Sequence, residues 1–329
     1  MINSDLKANE IKWKRHSSRK AKDAVARILG YAALGFMLAI LVSIFAYIIK
    51  GGASAINWNI ISTFGNTSEG GLLNGIVGTW ELVGMGLLFS LVPGIFGAVY
   101  LTQAKSRTYV TGAMRLFTDI LTSVPSIVIG LFGYLVLVIR FHLGFSLVAG
   151  GLALGVMMLP YVMRITEMSF RNIQKEQILN AYALGADNVN VTARILLPQA
   201  SAGILSGILL SVSIAAGETA QLLYTASFNS AGLPTGLTHS PVGYLTYFVW
   251  NGINQPSAYA HNLAFISAMI LIISVTVLIF VSKYEDFVGR FLRRVLGPVA
   301  AIINRVFVET PVENNNKGKS KVKRNGKNN

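Results

Sequence analysis

Three sets of polar residues lie in strongly apolar surroundings. Glu218 belongs to Gly217-Glu218-Thr219-Ala220, near the far end of an apolar run that starts around residue 203. Arg164 lies at the inner end of another run, with Glu167 three residues on. Ser123 and Ser126 flank Val124-Pro125 inside a third. An ionisable group at membrane depth is costly unless paired, so these residues point to a polar path or to structural ion pairs. Arginine suits an oxyanion because its planar fork donates two hydrogen bonds. The competing reading of Arg164 is an interfacial cation on the cytoplasmic side. A bare carboxylate repels an anion, so Glu218 either holds a cation in place or keeps a proton and donates a hydrogen bond. Its alternative is a structural contact with another span. Pro125 removes a helix hydrogen bond and frees the carbonyl of Leu121. With two hydroxyls beside it, the kink either lines a polar path or is a tolerated bend.

Covalent chemistry has no candidates. The chain has no cysteine, which leaves no thiolate metal site and no cysteine nucleophile. His16, His142, His239 and His261 are scattered with no i, i+4 pair, so no zinc site is expected. Nothing matches the G-x-x-x-x-G-K-[ST] phosphate loop, so any nucleotide chemistry must reside on another chain. The chain is therefore read as no enzyme, with no cofactor or metal of its own.

The positioning elements are apolar helices. The chain is 53% hydrophobic and 13% charged. Several runs exceed the roughly 18 residues that mark a membrane span. The spans are expected at 28–49, 76–101, 116–139, 144–163, 203–223 and 262–282. This predicts an all-α integral membrane protein of six transmembrane helices. The third and fourth spans are separated by Arg140-Phe141-His142-Leu143, a tight hairpin. A basic arm at 1–27 precedes the first span, which is long enough to stay as an anchor and is not read as a cleavable signal.

The net charge of +14 has a topological origin. Lys and Arg number 8 in residues 1–28, 3 between spans two and three, 4 between spans four and five, and 11 after span six. Only Lys50 and Arg140 fall on the other side. The positive-inside rule places both termini and the 164–202 loop in the cytoplasm, in a plasma or inner membrane, and nucleic-acid binding is not expected. Residues 283–313 read as a basic amphipathic helix on the inner membrane surface, interrupted at Gly297-Pro298. The Asn/Lys/Gly-rich tail 314–329 is expected to be disordered and to meet anionic headgroups.

The loop between spans four and five has its own pattern. From Ile178 there is no Gly or Pro until Gly185, which suits a helix end. Small Ala181 and Ala183 would let this short helix sit close in a groove on another protein; an ordinary surface connector is the alternative. Nine residues after Gly185 comes Ile195-Leu196-Leu197-Pro198. Gly185, the gap, Ile195, Leu197 and Pro198 resemble the EAA loop of ABC importer permeases, whose opening Glu-Ala is here Leu179-Asn180, followed by Ala181. Ser68-Glu69-Gly70-Gly71-Leu72, Ser123-Val124-Pro125-Ser126-Ile127-Val128, Arg164 with Thr166-Glu167, and Gly217-Glu218-Thr219-Ala220 are similar to stretches of the PstA family of phosphate permeases. The likeness covers roughly residues 66–226. It departs at Ile214, where many relatives carry arginine, and at Gln221, where proline is usual.

That resemblance implies a MetI-like permease that forms half of a path for phosphate, beside a PstC-like permease. It implies two copies of a PstB-like ATPase holding ATP and Mg, and a PstS-like phosphate-binding protein meeting loops 50–75 and 224–261. Asn180, Ala181, Leu184, Gly185, Ala186 and Pro198 would couple to the ATPase. Arg164, Glu167, Glu218, Thr219, Ser123 and Ser126 would line the path. The rivals are an importer for another oxyanion or small solute, and an ion-coupled secondary carrier, which would show inverted repeats.

Overall fold

The computed structural model describes residues 2–65, 70–103, 109–229 and 232–283, with side chains described from residue 22 onward. The expected surface helix and tail beyond Lys283 lie outside the described residues, as does Ser68-Glu69. All regular structure among the described residues is helical: α1 Ile2–Ala55, α2 Trp58–Ser62, α3 Leu73–Gln103, α4 Tyr109–Ser123, α5 Ser126–Gly133, α6 Leu147–Arg171, α7 Lys175–Ala183, α8 Asn188–Val191, α9 Leu197–Ala216, α10 Ala220–Thr225, α11 Leu245–Ile253 and α12 Ala258–Lys283. Helices dominate because lipid offers no partner to a backbone N–H or C=O. Five are long and apolar enough to cross a bilayer, and α4 with α5 supplies the sixth if the pair counts as one broken span.

Two expected spans are interrupted. At 116–139 the sequence reading expects one helix kinked at Pro125. Instead the chain turns by 101° between 109–123 and 126–140. Proline lacks an N–H and drives the preceding residue out of helical geometry, so Val124 and Pro125 end one helix and Pro125 heads the next with ψ 137°. The expected span 203–223 likewise ends early. α9 stops at Ala216, Gly217 and Glu218 tighten into i−3 hydrogen bonds, and α10 starts at Ala220.

The chain forms two compact units whose boundaries fall inside α3, α6, α12, near the end of α9, and at the α4–α5 break. The first comprises 2–65, 70–86, 124–155, 214–229 and 232–276 among the described residues. Its helices approach closely through glycine. A Cβ on Gly130 would lie 2.5 Å from the Gln221 Cα, and one on Gly133 would lie 2.8 Å from Thr225 Cγ2. Gly150 meets Leu82, Leu222 and Ala226 in the same way. Such packing substitutes for the hydrophobic drive that is missing between helices in lipid. Polar pins tie α3 to the start of α11 and to the loop before it: the Leu245 N–H donates to Thr79 Oγ1 at 2.9 Å, and Asn74 Nδ2 donates to the Asn229 carbonyl at 2.7 Å.

The second unit comprises 87–103, 109–123, 156–213 and 277–283 among the described residues. Its core gathers Ala98, Leu101, Met163, Phe170, Val191, Leu196, Ala200 and Ile204. Ile178, Ala181 and Ala186 pack against that core, which fixes α7 to the body of the unit.

The glycine contacts are directional enough to test. Gly130→Ala should destabilise the protein by about 1–3 kcal/mol, because its methyl meets backbone. Gly84→Ala, which meets nothing within 4 Å, should be neutral or slightly stabilising. Thermal unfolding in detergent followed by size-exclusion chromatography reads both; equal midpoints would contradict the packing.

Candidate functional site

The first unit joins the two interrupted helices at one point. Ser126, at the first position of α5, has its side chain beside the Glu218 carboxylate. The backbone of the same acid is also held: its N–H donates to the Ala215 carbonyl at 3.1 Å, and its carbonyl accepts from Thr246 Oγ1 at 2.8 Å. Thr219 precedes α10 at the capping position, but its side chain makes no capping hydrogen bond. Ser126, Glu218 and Thr219 are thus brought together. Ser123 belongs to the second unit, where its hydroxyl turns back to the Asp119 carbonyl at 2.7 Å, within α4.

The second unit carries an ion-pair network between α4 and α6. Glu167 is buried, and its Oε1 accepts from Arg115 at 2.6 Å and from Arg171 Nε at 2.9 Å. Arg164 pairs with Asp119, and both side chains are more than half exposed. Arg115, Thr118, Asp119, Arg164 and Glu167, with Leu101 and Met163, line a cavity of about 100 Å³. Three guanidinium groups face two carboxylates in this network, an excess of one positive charge. Exposed pairs of this kind contribute at most about 1 kcal/mol, whereas hydrogen bonds to a buried carboxylate contribute about 1.5–3 kcal/mol each.

The loop residues divide by side. Gly185 has φ +85° and ends α7 in a Schellman arrangement: its N–H reaches the Tyr182 carbonyl and the Ala186 N–H reaches the Ala181 carbonyl, each at 3.0 Å. Asn180, Leu184, Gly185 and Pro198 are exposed, and Leu184 is 89% accessible. Ala181 and Ala186 face inward onto the unit's own core, so of the two small residues that suggested a snug outward fit Ala181 packs within this chain and Ala183 stays exposed. Gln199 Nε2 donates to Gln177 Oε1 at 2.6 Å, tying the start of α9 to α7.

Residues 90–294 match the family described as binding-protein-dependent transport system inner membrane component. The chain belongs to this family. This permease is 37% identical over 280 residues to the phosphate transport system permease protein PstA 2 of Mycobacterium bovis, covering 83% of the chain and 90% of that relative. It is 32% identical over 280 residues to phosphate transport system permease protein PstA of Yersinia pestis, covering 84% and 94%. Among solved structures, a bacterial ABC transporter involved in the import of the acidic polysaccharide alginate matches with TM-score 0.55 and 16% identity, over 83% of this chain and 99% of that one. That likeness shows the fold: the permease is a multi-pass, all-α membrane protein of the MetI-like type.

Sequence reasoning missed Arg115, Thr118, Asp119 and Arg171 as members of one network. The signal was present. Arg115 and Asp119 stand at i, i+4 on α4, and Arg164, Glu167 and Arg171 at i, i+3 and i+7 on α6, so each set forms one stripe. Counting Arg115 and Arg171 as topology charges hid their shared partner.

Glu167→Ala should lower stability by about 1.5–3 kcal/mol, because both bonds to the buried carboxylate are lost while the two half-exposed guanidinium groups regain water. Asp119→Ala should cost at most about 1 kcal/mol. Thermal midpoints measured side by side check this ranking, and the reverse order would refute it.

Proposed function

We propose that this permease carries phosphate inward as one of two membrane subunits of an ATP-driven importer. The observation that carries this reading is the extent of its likeness to phosphate permeases: 37% identity across 90% of the length of one and 32% across 94% of another. The Ser126–Glu218 contact supports it, since stretches that resemble phosphate permeases in sequence meet there at two helix ends. Broken helices at membrane depth are where transporters expose backbone and polar side chains to a substrate.

In this reading a second, PstC-like permease completes the path. A PstS-like binding protein delivers phosphate to loops 50–75 and 224–261. Two PstB-like ATPases bind ATP and Mg on the cytoplasmic side, where both termini lie. Asn180, Leu184, Gly185 and Pro198 present the contact surface, while Ala181 and Ala186 carry the force into the permease. Arg164 donates paired hydrogen bonds to the phosphate oxygens, and Glu167 keeps the neighbouring arginines in place. Ser126, Glu218 and Thr219 line the path at the broken helices, with Ser123 nearby in sequence. The chain performs no covalent step; ATP closure shifts its populations between two packings.

Uptake of radiolabelled phosphate in cells lacking this chain, with sulfate and molybdate as controls, tests the reading. Restoring the chain should restore phosphate uptake alone. Gly185→Asn should retain most of it, since asparagine tolerates a positive φ. Gly185→Val should lose about tenfold or more at normal membrane insertion, because a β-branched residue strains the helix end. Sulfate uptake restored in place of phosphate would overturn the substrate, and full uptake by Gly185→Val would overturn the coupling role.

A further inference from the structure

The network between α4 and α6 treats its three arginines unequally. Arg115 and Arg171 both end on Glu167, whose side chain is 10% exposed. Arg164 ends on Asp119, whose side chain is 58% exposed. Removing a buried hydrogen-bonded carboxylate from its cations is strongly unfavourable, whereas an exposed ion pair opens at little cost. Arg164 is therefore the cation of this network whose partner an incoming group can replace. The cavity beside it, about 100 Å³, holds roughly three waters' worth of volume, enough for one small tetrahedral oxyanion. Thr118 lines the same cavity, although its hydroxyl hydrogen already has backbone acceptors at Met114 and Arg115. The excess positive charge favours an anion, and Glu167 keeps Arg115 and Arg171 from collapsing onto it.

We propose that Asp119 is a built-in competitor of the transported anion: it occupies Arg164 when the cavity is empty, yields it to a phosphate oxyanion, and reclaims it to expel the anion. This rests on the phosphate-permease reading and adds a positioning residue to it. Binding and release then have one physical cause. Without Asp119 the arginine would hold the anion too well; without Arg164 the cavity would lose the cation that takes it. Arg115 and Arg171 act at longer range, as charges fixed by Glu167. No bond is made or broken in the exchange, and the number of ion pairs at Arg164 is conserved.

The test uses the assembled transporter in detergent, without the binding protein, and measures equilibrium binding of radiolabelled inorganic phosphate beside the maximal uptake rate in cells. Asp119→Asn should bind phosphate roughly fivefold more tightly, the effect of losing one exposed ionic competitor, and its maximal uptake rate should fall. Asp119→Glu should resemble wild type in both. Arg164→Gln should bind no phosphate. A purely structural Asp119 would lower stability in Asp119→Asn without tightening binding. Unchanged or weaker binding by Asp119→Asn, or no binding by wild type, overturns the proposal while leaving the importer reading intact if phosphate uptake persists. Absence of phosphate uptake by wild type would instead sink the importer reading itself.

Discussion

A helix that stops among apolar neighbours leaves backbone groups that they cannot satisfy, and the first unit is organised around that constraint. Two helices stop, one at Val124-Pro125 and the other at Gly217-Glu218-Thr219. The residues that follow each break meet within this unit. Ser126 lies beside Glu218, Thr246 donates to the Glu218 carbonyl, and Gly130 lets α5 close onto α10 at Gln221. A side chain larger than hydrogen at residue 130 would push the two breaks apart. The costly polar groups and the close glycine contact are thus parts of one arrangement.

The second unit solves a different problem, which is to keep several charges close to one another without cancelling them all. Glu167 absorbs two arginines and leaves Arg164 with an exposed partner. The same α6 segment carries Met163 and Phe170 into the core that receives Ile178, Ala181 and Ala186 from the loop. α7 is therefore joined to the residues beside Arg164 through packed side chains within one unit. The left-handed Gly185 fixes where α7 ends, and so which side chains face inward and which stay exposed.

Much of this is legible in the sequence. Long apolar runs give the helices because lipid leaves the backbone no alternative, and Gly185 announces a helix end through its freedom to adopt a positive φ. The angle at Pro125 is not legible, since a mild kink and a 101° turn share the same residue types. The end of α9 at Ala216 is hidden for the same reason: Gly217 and Thr219 are tolerated inside membrane helices until a neighbouring helix offers something better. The pairing of Ser126 with Glu218 joins residues 92 positions apart, and no local pattern encodes it. Arg115 and Arg171 look like topology signals until Glu167 is placed between them.

The central claim is that Ser126 and Glu218 act as one unit at the meeting point of the two broken helices. A double-mutant cycle on phosphate uptake, with Ser126→Ala, Glu218→Gln and the pair together at matched membrane levels, tests it most directly. If the contact is what matters, each single variant loses activity and the double variant loses little more than the worse single one. Fully additive losses, or wild-type uptake by both single variants, would contradict it.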